Sequence, residues 1–110
     1  MTESLLKLVF FVPESHKEAV KQAVFSAGAG RYQGYDCCSW ETRGTGQFRP
    51  LAGSQPYIGQ QGAVEYVEEF RVETICPESR IKAVLEALIT AHPYETPAYE
   101  VWSVKTIEDY

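Results

Sequence analysis

Few side chains in this sequence are of types that perform chemistry, and their spacing limits what each can do. His16 and His92 are its two histidines. His16 falls in the first turn of a predicted helix, where a protonated imidazole would oppose the helix dipole. His92 falls just past a second predicted helix, where positive character suits the dipole, and a structural role is expected of it. Cys37 and Cys38 are adjacent. In an extended strand they would point to opposite faces, so they cannot grip one ion together. Either reads as a small hydrophobe or as a redox-sensitive thiol. Glu65, Glu68, Glu69 and Glu73 crowd one predicted strand and read as a charge-paired surface. No Ser-His-Asp or Cys-His arrangement follows from spacing. No catalytic residue, metal ligand or cofactor is expected.

The segment 42–62 is different in kind. It has five glycines and two prolines but no Asp or Glu, in a chain whose formal charge is -5. Its length without periodicity is far above that of an ordinary hairpin loop, a property of functional or disordered segments. Arg43, Gly44, Gly46, Phe48, Arg49, Tyr57 and Gly59 are its candidate ligand-binding residues. Arginine and backbone N–H groups freed by glycine can hold an anion such as a phosphate. The pattern is not a P-loop, since no Gly-Lys-Ser/Thr follows at the required spacing. The competing reading is a glycine-rich arm that packs on a neighbouring subunit.

An internal repeat at an offset of 64 residues supplies the elements that must position these groups. Residues 5–40 match residues 69–104 without a gap. Pro13-Glu14-Ser15 recurs as Pro77-Glu78-Ser79, Ala19-Val20 as Ala83-Val84, and Tyr35 as Tyr99. Each half opens with an apolar strand, Leu5 to Val12 or Glu69 to Cys76. Each continues as a helix with apolar residues at i, i+3, i+4 and i+7: Val20, Ala23, Val24, Ala27 and Val84, Ala87, Leu88, Ala91. Ser15 with Glu18 fits a capping box, whereas Ser79 with Lys82 does not. Gly28-Ala29-Gly30 and His92-Pro93 predict the helix ends. A closing strand follows in each half, Tyr35 to Glu41 and Tyr99 to Val104. Two such units predict an α+β, ferredoxin-like βαββαβ sandwich with an antiparallel sheet and both helices on one face, forming one domain over 1–110.

Strand alternation then assigns faces. Leu6, Leu8 and Phe10 belong with Phe70, Val72 and Thr74 beneath the helices. Lys7, Val9, Phe11, Glu69, Arg71, Glu73 and Ile75 take the opposite face, with Trp40 and Trp102 on the parity of Cys38. Apolar groups on a face that no helix covers imply a partner surface, and these seven are the candidate oligomer interface. Cover by the chain's own loop and tail is the alternative.

The bulk properties exclude several classes. The pI near 5.0 argues against a nucleic-acid binder. No apolar run approaches the ~18 residues of a membrane span. Met1-Thr2-Glu3-Ser4 lacks a basic signal-peptide n-region, and three cysteines make no disulfide framework. A reducing, cytoplasmic setting is expected.

Taken together, Gly28-Ala29-Gly30, Tyr35-Asp36-Cys37-Cys38-Ser39, Gly44-Thr45-Gly46-Gln47-Phe48-Arg49-Pro50, Pro56-Tyr57-Ile58-Gly59 and His92-Pro93-Tyr94-Glu95 resemble one module. It is the PII/CutA-like domain inserted in YqfO-type members of the NIF-three (dinuclear metal-binding) family. The resemblance covers nearly the whole chain. It implies a ferredoxin-like fold that self-associates, as a trimer first and a dimer second. Cys37 and Thr96 depart from the histidine and the acid usual there, and both departures weaken the case for a metal or acid–base site. The expected function is a non-catalytic, oligomeric binding or sensory module holding a small anionic ligand. The alternatives are a CutA-like metal binder using Cys37, Cys38 or His92, and a lid or adaptor for a separate metal-dependent hydrolase.

Overall fold

The computed structural model describes residues 3–110. Its elements run β1 (Leu5–Pro13), α1 (Glu14–Ala27), β2 (Ser39–Phe48), β3 (Glu65–Pro77), a 3-10 turn (Glu78–Arg80), α2 (Ile81–Ala91) and β4 (Tyr99–Val104), with a last 3-10 turn at Ile107–Asp109. The strands form one sheet in the order β2-β3-β1-β4, and every neighbouring pair is antiparallel. This is the α+β, ferredoxin-like arrangement that the repeat predicts.

Residues opposite one another in antiparallel strands share a face. Leu6 pairs with Cys76, Leu8 with Thr74, Phe10 with Val72 and Val12 with Phe70. That face meets the helices. Leu8, Phe10, Val12, Val72 and Cys76 are fully buried there with Val20 and Val24 of α1 and Val84 and Leu88 of α2. Thr74 is buried on the same face and gives its hydroxyl to the Cys38 carbonyl at 2.7 Å. Burial pushes the Cys76 thiol up to about 11.

Two helix-end expectations meet different outcomes. Gly28 closes α1 at φ 128°, a conformation that favours glycine, and its N–H reaches the Phe25 and Val24 carbonyls. The Ser15–Glu18 capping box does not form. Pro13 is the N-cap and makes no side-chain cap bond. Ser15 Oγ bonds His16 Nδ1 instead, and Glu18 turns to Lys17 and Lys21.

The repeat holds through the helices and fails beyond them. Tyr99 opens β4, yet its counterpart Tyr35 lies before β2, which opens at Ser39. Tyr35 exchanges backbone hydrogen bonds with Tyr32 in a local turn. Gly30, at φ 82°, explains the displacement. Its N–H reaches Ile75 O at 2.7 Å and its carbonyl receives Cys38 N–H at 2.8 Å, so the chain is tied to β3 before the new strand starts. Cys37 and Cys38 therefore precede the strand rather than alternating within it. Cys37 is exposed and left-handed at φ 55°.

The expected loop is also shorter, because β2 continues to Phe48. Residues 65–68 of β3 pair only with 45–48 of β2, so this ribbon projects past β1. The projection gives a long molecule of 51 × 23 × 22 Å. Near its root, Glu41 of β2 receives Lys17 at 2.5 Å and Lys21 at 2.8 Å from α1. The Lys17 ammonium also lies 4.0 Å from the centre of the Phe70 ring. The two lysines hold the Glu41 carboxyl below the usual range. Glu41→Gln should therefore lower the thermal midpoint, by a margin that shrinks as the pH falls and wild-type Glu41 becomes protonated. An equal deficit from pH 7 to pH 3 would refute this pairing.

Candidate functional site

Residues 49–64 after the ribbon fold into a tied structure. Gly62 N–H reaches Pro50 O at 2.7 Å, Ser54 N–H reaches Leu51 O at 3.1 Å, and Gln61 Nε2 reaches Ser54 O at 2.8 Å. The loop docks on the segment after α2, where Gln55 N–H donates to Glu95 Oε2 at 2.8 Å. Between the two segments and the ends of β1 and β3 lies a cleft of about 450 Å³. Its walls are mostly apolar or aromatic, with Phe11, Phe48, Tyr57, Ile58 and Tyr94 among them. Its charged side chains are Arg49, Glu69 and Glu95.

An aromatic chain organises this end of the protein. The Tyr94 ring lies 6.4 Å from Phe48, 6.2 Å from Tyr57 and 4.8 Å from His92. His16 meets Tyr57 edge-on at 5.9 Å and is half-buried by the loop. His92 is buried, and both its ring nitrogens serve the backbone. Nε2 lies 2.7 Å from Phe11 O, and Nδ1 accepts Tyr94 N–H at 3.1 Å. These partners define the neutral tautomer with its proton on Nε2. Burial holds the imidazole pKa below its ordinary value, against the opposing pull of the Phe11 hydrogen bond and the Glu69 charge. The cationic character expected at this helix end is thus absent. Neither nitrogen is free to ligate a metal without breaking a backbone contact.

Tyr94 completes the link. Its hydroxyl donates to Glu69 Oε2 at 3.0 Å, and burial, then the Glu69 charge, pushes the phenol well above its usual range. The phenol keeps its proton at physiological pH.

Of the seven candidate ligand residues, Phe48, Arg49 and Tyr57 line the cleft. Gly46 borders it indirectly, since a Cβ there would strike the Glu69 carboxylate. Arg43 lies on the helix-side face, paired with Glu14 at 3.0 Å and 5.3 Å from the centre of the Phe70 ring. Gly44 stands open, and Gly59, at φ 89°, packs near Glu65. Sequence reasoning missed Glu69 as a cleft group, having placed it on the oligomer face, and missed Tyr94 and Glu95 altogether. The motif His92-Pro93-Tyr94-Glu95 held the signal, but nothing local says that it meets the loop.

The candidate oligomer residues share the sheet face turned away from the helices, but Phe11 and Glu69 line the cleft beneath the loop instead of standing free. Lys7 sits between Trp102 and Ile75, and Val9 between Glu100 and Glu73, with Trp40 beyond Glu73. Val9 is fully buried within the single chain and is not available as a contact. Trp40 and Trp102 are 62% and 40% exposed, making them the large apolar groups this face offers. Arg71 turns to Glu73 at 3.4 Å and lies 5.8 Å from the centre of the Phe11 ring. Among the described residues no helix is long and apolar enough to cross a membrane.

No family model matches the chain. A protein of Halalkalibacterium halodurans named GTP cyclohydrolase 1 type 2 homolog is 48% identical over 101 residues, which are 92% of this chain and 27% of that protein. The crystal structure of a Bacillus cereus protein related to NIF3 superposes with a TM-score of 0.83 at 42% identity, covering 96% of this chain and 27% of that one. CutA from Synechococcus elongatus shares the fold at a TM-score of 0.66 and 22% identity, covering 94% of this chain and 79% of CutA. The chain spans about a quarter of the length of the curated relatives it matches. Over nearly its whole length it is therefore similar to one quarter of the NIF3-related proteins, and it carries the fold of CutA.

Proposed function

We propose that this chain is a non-catalytic, self-associating binding module whose ligand enters the cleft beneath the glycine-rich loop. The observation that carries the reading is the cleft itself, held open by the docked loop and walled by Phe48, Tyr57 and Tyr94. A few polar groups set in an apolar hollow of several hundred Å³ is the usual make-up of a small-molecule site. The groups there suit binding better than reaction. Tyr94 holds its proton, and His92 is committed to the backbone on both nitrogens. Arg49, which makes no ion pair among the described residues, is the group to meet an anionic substituent such as a phosphate. A thermal-shift screen with nucleotides and phosphorylated metabolites tests this. A bound compound should raise the midpoint, and Arg49→Gln should reduce the rise. Phosphorylated compounds that act equally on both proteins would remove the anion from the proposal.

Self-association uses the uncovered sheet face. Trp40 and Trp102 rim it, while Lys7, Arg71 and Glu73 can pair across a symmetric contact and set its register. A trimer is the first expectation and a dimer the second. Light scattering coupled to size exclusion should give an oligomer for the parent and a monomer for Trp40→Glu combined with Trp102→Glu. A monomeric parent at micromolar concentration would refute the assembly, and so would an oligomer that the double variant leaves intact.

A further inference from the structure

An anion met by Arg49 leaves the carboxylates that line the same cleft unexplained. Glu69 is half-buried among Phe11, Phe48 and Tyr94, and its carboxylate has a single hydrogen-bond partner among the described residues, the Tyr94 hydroxyl on Oε2. Arg71, two residues along the same face, is engaged with Glu73 and the Phe11 ring. No ion pair to Glu69 forms among the described residues. A carboxylate with one oxygen bonded and no cation beside it keeps acceptor capacity for a cationic group.

The fold makes room for this carboxylate. Glu69 and Gly44 face each other across the ladder, and Oε1 lies over Gly46, the next outward position of β2. Any side chain at 46 would collide with it. The second carboxylate of the cleft, Glu95, is anchored by Gln55 N–H on Oε2. One cleft thus holds two carboxylates against one arginine, with aromatic rings on its walls. Aromatic faces and carboxylates together form the environment that recognises organic cations.

We infer that the ligand of this cleft carries a protonated amine, amidinium or guanidinium group seated on Glu69, with its apolar body among Phe48, Tyr57 and Tyr94. This rests on the reading that the cleft binds a small molecule, and it makes that molecule amphoteric, with its negative end at Arg49 and its positive end at Glu69.

Benzamidine, a planar aromatic amidinium, is the probe. Titrated into the full chain and followed by amide NMR, it should give saturable shifts at Gly46, Glu69 and Tyr94. Glu69→Gln keeps an oxygen for the Tyr94 hydroxyl but removes the charge, and should weaken binding by about tenfold or more. Gly46→Ala, which displaces the carboxylate without removing it, should weaken it as well. Lys82→Gln, exposed on α2 and outside the cleft, should leave benzamidine affinity unchanged. Absence of saturable shifts would overturn the inference, as would equal affinity in wild type and Glu69→Gln. An Arg49-dependent response to phosphorylated compounds alongside silent benzamidine would leave the binding site standing and remove only its cationic pole. Benzamidine bound through Glu69 with no response to phosphorylated compounds would support the cationic pole and remove the anionic one.

Discussion

Leu8→Ala should destabilise the chain by about 2–5 kcal/mol, the range for a large-to-small change at a fully buried site. Leu8 has no exposed surface and stands on the central strand between Thr74 of β3 and Val101 of β4. Its side chain lies in one buried cluster with Phe10, Val72, Val20 and Val24 of α1 and Val84 and Leu88 of α2. The experiment is urea or thermal unfolding at fixed protein concentration, because an assembled protein has a concentration-dependent midpoint. Lys82→Ala, exposed on α2 and outside the proposed contact face, is the control and should have a small effect. A midpoint unchanged in Leu8→Ala would mean that the helix-side face is misassigned.

The second large effect centres on His92. His92→Ala leaves the Phe11 carbonyl and the Tyr94 N–H without their partner and opens a void beneath the Tyr94 ring. A loss on the order of 3 kcal/mol is expected, since each buried polar group left unsatisfied costs about 1–3 kcal/mol. The pH dependence separates this role from simple packing. Burial lowers the folded-state pKa below the ordinary 6.5, so between those two values the unfolded chain binds more protons than the folded one. The stability that His92 contributes is fully present above pH 6.5 and is lost as the pH falls from there toward the folded-state value. The groups acting on this imidazole, Glu69 and His16, oppose each other and are outweighed by burial. The difference in stability between wild type and His92→Gln should shrink over that interval. A difference that grows on acidification would show that the buried imidazole is charged. Release of Tyr94 in the acid form should also loosen its hold on Glu69, so benzamidine affinity offers a second reading of the same event.

Two periodicities and one repeat, all readable in the order of the residues, dictate the fold. Alternation along Leu5–Pro13 and Glu69–Pro77 set the two central strands and their faces, because a one-residue slip would turn Leu8 and Phe10 to water. The spacing of Val20 and Val24, matched by Val84 and Leu88, set the helices above them. Gly28 marked where the first helix stops, since its φ of 128° favours glycine. These are local constraints, and local patterns carry them.

The remaining features arise from contacts between segments distant in the chain. Whether Tyr35 begins a strand depends on Gly30 meeting Ile75, a contact between distant residues that no window of sequence contains. The ladder to β3 carried β2 on to Phe48 through Gly44 and Gly46, residues whose own preferences favour a turn. The cleft brings together residues 11, 48, 49, 57, 69, 94 and 95 from four separate segments. Read singly, Glu69 is one glutamate in a surface strand and His92 a helix-end base. Their chemistry arises where Tyr94 bonds both, because burial and partners, rather than residue type, set the charge and proton state of a side chain.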